Sequence, residues 1–338
     1  MTPAPSYSIG TALRAAKDAH TARSPDGFLE HARYAARLVR AEGGAGSASP
    51  QELTTVAVDA LYQGENEVAE TLFTAALPAL EHSEAAADRA SVLHNLALLA
   101  LTREDFDLAE RLDTEGRQLA AAAGDRLVEA ECLHGIGAAL VARREYSPAR
   151  APLEQCLALF EDIGDDQAVA AAAHSLAIAC QETGDTARAA GLFRTCVKIW
   201  RAQEYGHGLT EALQGLGEIA QSAGDHRTAM ARHADALPVL LDMDELPGVS
   251  ESLEGVALAL AGAGSLQAAV RLFAAATGIR DRLGADVPPA VLARVADDIA
   301  QARTALGGAA FDDCWSWGHA LTTQDAVAYA RRRAQEGA

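Results

Sequence analysis

Residues 176–196 read LAIACQETGDTARAAGLFRTC, and forty residues later, at 216–236, the chain reads LGEIAQSAGDHRTAMARHADA. Both stretches place leucine beside a small residue, then a Gly-Asp turn, then alanine four residues after the aspartate. Six turn residues stand forty residues apart in this register: Glu65, Asp105, Glu145, Asp185, Asp225 and Ser265. A fixed period of this length predicts a repeat architecture.

Small residues recur at fixed positions of every repeat. Four residues after each turn stands alanine, at Ala69, Ala109, Ala149, Ala189, Ala229 and Ala269. Eight residues before each turn stand Ala57, Ala97, Gly137, Ala177, Gly217 and Ala257. Apolar positions between them follow the i, i+3, i+4, i+7 spacing of an amphipathic helix. Each repeat is therefore predicted to be a pair of helices of roughly 16 residues that packs closely against its neighbours.

The two ends of the chain are predicted to cap the repeats. Residues 1–46 read as a degenerate helix pair broken at Ser24-Pro25-Asp26-Gly27, residues 47–286 as six repeats, and residues 287–338 as capping helices. Ser49 and Glu52 predict a capping box at the start of the first repeat, and Thr322 with Asp325 predicts the start of the last helix. Asp286 to Pro289 opens the C-terminal helices, and Gly307-Gly308 ends the first of them.

The pattern resembles the tetratricopeptide repeat, which places a leucine and a small residue in its first helix and alanine, a large apolar residue and a small residue in its second. The matching residues in the fourth repeat are Leu176, Ala177, Ala189, Phe193 and Cys196. Asp113 and His233 replace the large residue in two repeats, and packing near Asp113 is expected to be weaker. The resemblance implies an all-α, right-handed α-solenoid of helical hairpins with a period of 40 residues.

A second resemblance concerns the last third of the chain, which looks like the end of actinobacterial multidomain signal-transducing regulators. The residues that carry it are Arg271-Leu272-Phe273, Arg282-Leu283-Gly284, Pro288-Pro289, Leu306-Gly307, Phe311, Gly318 and Ala326-Val327. In those proteins an ATPase module precedes the repeats, and some carry a helix-turn-helix. This sequence has neither a GxxxxGK[ST] loop nor a basic recognition helix. The resemblance implies a regulator or ATPase as a partner.

Net charge narrows the classes of possible partner, and cysteine usage indicates the cellular compartment. The sequence has 28 Lys and Arg against 47 Asp and Glu, a net charge of −19. Nucleic acid and anionic membrane surfaces are therefore not expected as partners, because both are bound through clustered basic residues. No uninterrupted apolar run is long enough to span a membrane. The odd number of cysteines, five, without a CxxC pair, favours a reduced, cytoplasmic location.

Polar residues beside the core positions of the first helices predict a concave binding groove. They are His94, His134, His174, Gln181, Glu211, Gln214, Glu218, Gln221, Glu251 and Glu254. Successive first helices are about 10 Å apart, whereas a metal holds its ligands at ~2 Å. The three histidines therefore cannot share one metal, and we expect neither a metal nor another cofactor. They are either a duplicated feature of the groove wall or contacts to a ligand.

The leading functional hypothesis is a non-catalytic scaffold, regulatory or sensory, that binds a protein, a peptide or a small ligand. The carboxylates in the second half of the groove are expected to attract a cationic peptide or amine. The alternative is an enzyme or small-molecule-processing protein with its site in the groove, which a buried Glu or His of perturbed pKa would favour. Trp315 and Trp317 are expected to pack the terminal cap, unless one of them is exposed for a partner. Cys156 and Cys196 are expected to act as small core residues.

Overall fold

Helices account for all the regular structure in the part of the chain described here. The computed structural model describes residues 8–81, 85–284 and 289–337, and within these ranges it contains seventeen α-helices and no strand. The chain divides into two compact units, Met1–Asp165 and Asp166–Ala338. None of the described helices combines the length and the apolar character needed to cross a membrane.

The first unit contains eight helices that pair as consecutive hairpins. They are α1 Ile9–Thr21, α2 Pro25–Glu42, α3 Pro50–Tyr62, α4 Asn66–Leu80, α5 Ala86–Thr102, α6 Phe106–Ala123, α7 Arg126–Ala142 and α8 Tyr146–Ile163. The break between α1 and α2 lies at residues 22–24, and Pro25 to Gly27, which were predicted to be part of the break, form the first turn of α2. Each following hairpin consists of a first helix and a second helix that pack along their length.

The second unit continues with three hairpins and three capping helices. They are α9 Asp166–Glu182, α10 Thr186–Ala202, α11 Gly206–Ser222, α12 His226–Asp242, α13 Leu246–Gly262, α14 Leu266–Leu283, α15 Pro289–Leu306, α16 Gly308–His319 and α17 Thr323–Glu336. The first helices α9, α11 and α13 contact one another in this order. Asp286 to Pro288, where we predicted that α15 opens, lie outside the described residues, and α15 ends before Gly307 as expected.

Side-chain caps and left-handed residues form the turns. Asp105, Asp125 and Asp225 each accept a hydrogen bond from the backbone N–H three residues on, which satisfies one free donor of the next helix. Gly184 has φ of 84°, a conformation that glycine adopts without a steric penalty. The predicted capping box is present, since Ser49 and Glu52 bond each other's backbone N–H. Hydrogen bonding therefore sets the helix boundaries that the sequence pattern predicts.

The small-residue positions lie where helices meet. All six alanines that follow the turns, including Ala189, are fully buried. A Cβ added to Gly217 would lie 2.5 Å from Nε2 of His233, closer than two such atoms can approach. The small side chains thus permit the helix spacing of the repeats. This confirms the predicted packing register.

The capping helices close the last repeat. Helix α16 crosses α14 so tightly that a Cβ on Gly318 would lie 2.1 Å from the carbonyl oxygen of Arg271. Trp315 stacks on Phe311, with 5.4 Å between ring centroids. The guanidinium of Arg271 lies 4.8 Å from the ring centroid of Trp317, which is 44% exposed. Both tryptophans therefore belong to the terminal cap, as predicted.

Candidate functional site

The ten residues predicted to line a groove all lie on first helices. His94 and His134 belong to the first unit, on α5 and α7. The other eight belong to the second unit, on α9, α11 and α13. The candidate site is therefore built separately in each unit, and its acidic part lies wholly in the second.

The first helices of the second unit carry acidic side chains but no basic ones. Helices α9, α11 and α13 contain six Asp and Glu and not a single Lys or Arg. Each of the second helices α10, α12 and α14 contains at least two basic residues. The basic residues of these three hairpins are thus confined to the second helices, whereas acidic residues occur in both sets of helices. The acidic layer, as we call it, consists of Gln181, Glu211, Gln214, Glu218 and Glu251.

Amide side chains link neighbouring helices of the acidic layer. Nε2 of Gln181 donates a hydrogen bond of 3.2 Å to Glu218 Oε2, from α9 to α11. Nε2 of Gln214 donates a bond of 3.0 Å to the hydroxyl of Ser252, from α11 to α13. Glu218 and Glu251 are exposed, so their carboxylates are available to a partner. Gln221 lies partly buried on α11, and its Oε1 has no hydrogen-bond partner among the described residues.

His174 lies at the inner edge of this layer, against two aromatic rings. Its ring centroid is 5.7 Å from that of Phe193 and 5.5 Å from that of Trp200. Its Nε2 is 3.7 Å from Glu211 Oε2, and Nε2 of His207 is 3.5 Å from the other oxygen of the same carboxylate. Burial lowers the pKa of His174, and the charge of Glu211 opposes this effect. The side chain therefore favours its neutral form.

Glu254 is not on an open groove wall, and that part of the prediction is wrong. Its residue is 0% exposed, and its Oε1 forms an ion pair with Nη2 of Arg280 on α14. Helix α13 packs against α14 on one side and against the capping helices α15 and α17 as well. A carboxylate at this position cannot reach solvent, so it needs a buried counter-charge.

In the first unit, His94 pairs with a carboxylate rather than with another histidine. Its Nδ1 is 2.9 Å from Oδ1 of Asp113 on α6, and the side chains are 12% and 0% exposed. Burial lowers the pKa of His94, but the hydrogen bond and charge of Asp113 outweigh it and leave that pKa raised. Burial raises the pKa of Asp113. His134 is partly buried on α7.

A cleft between α3 and α5 was not anticipated from the sequence. It has a volume of about 380 Å³, and its apolar lining residues include Val58, Phe73 and Val92. Asp59 and Asp88 line it together with uncharged polar side chains. Periodicity assigns the neighbouring residues to a helix face, but it carries no signal for the separation of two helices. The cleft could therefore be found only from the structure.

Part of the chain matches a known repeat family. A family model described as a tetratricopeptide repeat matches residues 88–162, which span most of α5 to α8. This segment includes Asp113, the position that departs from the repeat pattern. None of the curated proteins compared with the chain matches it.

Solved structures confirm the all-α helical repeat fold. A Rap protein complexed with competence and sporulation factor is 14% identical, with a TM-score of 0.56 over 100% of this chain and 90% of that one. BtubC from P. vanneervenii is 18% identical, with a TM-score of 0.52 over 70% of this chain and 91% of that one. At such identities the likeness concerns the fold alone.

A larger protein also contains this fold. It is a Signal Transduction ATPase with Numerous Domains protein with a tetratricopeptide repeat sensor, from Pyrococcus horikoshii. The identity is 13% and the TM-score 0.66, over 92% of this chain and 48% of that one. The chain thus spans about half the length of this relative.

Proposed function

We propose that the chain is a regulatory or sensory scaffold that binds a protein or peptide, and that a cationic segment of its partner lies on the acidic layer. The observation that carries the proposal is that three adjacent first helices of the second unit have carboxylates and no basic side chain. A surface of one sign attracts and steers a partner of the opposite sign.

Proteins of similar fold support a regulatory role by analogy. The similar Rap protein is complexed with competence and sporulation factor, and the similar ATPase carries its repeats as a sensor. Fold alone does not determine function, so the proposal for this chain depends on the acidic layer. The sequence resemblance to multidomain regulators adds a regulator or an ATPase as the proposed class of partner.

The enzyme alternative has one arrangement in its favour. A buried histidine whose pKa is lowered, beside a half-exposed carboxylate, suits proton transfer. His174 and Glu211 fit this description. Binding is the better-supported function because it needs only the exposed carboxylates that the layer already presents.

Charge reversal within the acidic layer tests the proposal. Glu218→Lys with Glu251→Lys changes two exposed side chains, so the helical circular dichroism and the melting temperature should stay near those of the parent. The affinity for a fluorescein-labelled polyarginine peptide should fall by about tenfold or more, since ~1.4 kcal/mol corresponds to a factor of ten.

The matched control reverses the same number of charges elsewhere. Glu161 and Asp242 are exposed residues on the second helices α8 and α12, so Glu161→Lys with Asp242→Lys produces the same net charge. This control should retain most of the affinity. Equal weakening of binding by both double variants would mean that net charge alone attracts the peptide, and the acidic layer would be rejected as the binding surface.

A further inference from the structure

Three metal-ligating side chains from three consecutive helices meet inside the first unit. They are His94 on α5, Asp113 on α6 and Cys132 on α7. Their ligand atoms, an imidazole nitrogen, a carboxylate oxygen and the thiol sulfur, all lie within 4.8 Å of one another. The cluster joins the second repeat to the third. None of its members belongs to the acidic layer.

Asp113 stands where the repeat otherwise places a large apolar residue. The equivalent residues of other repeats are Phe73, Leu153, Phe193 and Phe273. Burying a carboxylate at such a position is strongly unfavourable unless a charge or several hydrogen bonds compensate for it. Oδ1 of Asp113 is 2.9 Å from Nδ1 of His94, and the thiol of Cys132 also lies against this carboxylate and stabilises its charge. Oδ2 makes no hydrogen bond of ordinary geometry among the described residues. The buried charge of Asp113 is therefore compensated mainly by the other two members of the cluster.

The backbone around the cluster makes room for these side chains. A Cβ added to Gly135 would lie 1.9 Å from Oδ2 of Asp113, and one added to Gly116 would lie 2.9 Å from the sulfur of Cys132. Any other residue at Gly135 would displace the carboxylate. Two glycines on two different helices thus allow the carboxylate and the thiol to approach His94.

We propose that His94, Asp113 and Cys132 bind a divalent transition-metal ion, with zinc as the best match. Zinc is bound in proteins by imidazole nitrogen, carboxylate oxygen and thiolate sulfur, which are the three atom types present. When the ion binds, the thiol of Cys132 loses its proton to solvent and the imidazole coordinates as a neutral group. The two positive charges of the ion are then balanced by one carboxylate and one thiolate.

One pair of ligand atoms requires only a small adjustment, and the sulfur of Cys132 lies within 4.8 Å of both. The His94 and Asp113 ligand atoms are 2.9 Å apart. With bonds of ~2.1 Å in tetrahedral geometry, two such ligands are separated by about 3.4 Å, which side-chain rotation can provide. Of the three side chains, His94 is the one with some exposure to solvent, at 12%. Three protein ligands leave a fourth coordination position for water or for a further ligand.

Protonation makes the proposed binding depend on pH. Burial raises the pKa of the Cys132 thiol, the neighbouring carboxylates of Asp113 and Glu131 raise it further, and the charge of Arg117 opposes them. The thiol must lose its proton to coordinate as a thiolate, and a proton on the imidazole of His94 competes with the ion as well, so affinity should increase with pH. This site differs from a metal shared by histidines of successive repeats, because its ligands come from helices that pack directly against each other.

Cobalt titration of the tag-free full chain tests the proposal. Co²⁺ should bind with a stoichiometry of one and produce a sulfur-to-metal charge-transfer band, which Zn²⁺ then abolishes by displacing it. Cys132→Ser should lose the band. Cys156→Ser, which changes another buried free cysteine whose thiol bonds the carbonyl of Leu153, should keep it.

A second variant removes the carboxylate without leaving a cavity. Asp113→Leu introduces the residue type found at Leu153 in the next repeat, so it should fold, and its Co²⁺ affinity should fall by at least about tenfold. Zn²⁺ should raise the melting temperature of the parent and of Cys156→Ser, but not of Cys132→Ser or Asp113→Leu. Absence of the charge-transfer band in the parent chain, or its persistence in Cys132→Ser, would overturn the proposal.

Discussion

The carboxylate of Glu254 on α13 forms an ion pair with the guanidinium of Arg280 on α14, inside the last repeat. The two side chains are 1% and 10% exposed. Oε2 of Glu254 and both Nε and Nη1 of Arg280 have no hydrogen-bond partner among the described residues. Each charge therefore depends mainly on the other, and removal of either leaves an uncompensated buried ion.

Breaking this pair should destabilise the protein strongly. We expect Glu254→Leu to lower the free energy of unfolding by about 3–5 kcal/mol, because Arg280 then stays buried without a counter-charge. Replacing both residues with leucine should recover most of the loss. Urea unfolding of the two single variants and the double variant measures the coupling.

An exposed ion pair provides the control for this cycle. Arg232 and Asp235 are 3.2 Å apart on the surface of α12. Asp235→Ala should change the free energy of unfolding by less than about 1 kcal/mol. A loss for Glu254→Leu no greater than that for Asp235→Ala would contradict the burial of the Glu254 ion pair.

A larger side chain at Gly217 tests how closely the helices of the fifth repeat pack together. Gly217→Leu would force side-chain atoms into the ring of His233, and we expect a loss of about 1–3 kcal/mol or more in the free energy of unfolding. Gly191→Ala is the control, because no neighbouring atom lies within 4 Å of a Cβ at this helical position. It should stabilise the protein by up to about 1 kcal/mol. Similar melting temperatures for both variants would reject the repeat register.

Acidic pH should destabilise the second unit through His174. Its pKa is lower in the folded protein than the ordinary value of 6.5, so the unfolded chain binds the proton more tightly. The stability that this residue contributes is therefore present above about pH 6.5 and is lost as the pH falls through the folded pKa. The charged and titratable groups of α11 beside it are Glu211 and His207, while α10 contributes Phe193 and Trp200.

Two substitutions distinguish the effect of the buried His174 on acid stability from that of its exposed neighbour His207. His174→Gln should reduce the loss of stability between pH 7 and pH 5, measured by urea unfolding at each pH. His207→Gln changes a side chain that is 62% exposed and should leave most of that loss in place. An unchanged pH profile in His174→Gln would assign the acid sensitivity to another group.

Salt should weaken binding at the acidic layer. Exposed charges are screened over about 8 Å at physiological ionic strength. The affinity for the polyarginine peptide should therefore decrease as salt is added, and the decrease should be shallower for Glu218→Lys with Glu251→Lys. Fluorescence anisotropy titrations at several salt concentrations measure both slopes. Parallel slopes for the parent and the variant would show that these carboxylates do not contact the peptide.

The repeat pattern and the helix boundaries could be predicted because they depend on local chemistry. The caps at Ser49 and Thr322 satisfy backbone donors only three residues away. The small residue at Ala189 is buried because its helix repeats the spacing of every other second helix. Interactions within one or two helical turns are visible in the sequence, since residues close along the chain are also close in space.

The sequence by itself determined the all-α repeat and its period, because these follow from periodicity and composition. Only the tertiary structure determined which contacts individual polar residues make at equivalent positions of the repeat. His94, Gln214 and Glu254 share one position, yet they meet Asp113, Ser252 and Arg280 respectively. The partners of these three side chains lie on other helices, 19 to 38 residues away in the sequence. The packing of those helices determines whether a side chain faces solvent, a hydrogen-bond partner or a buried charge.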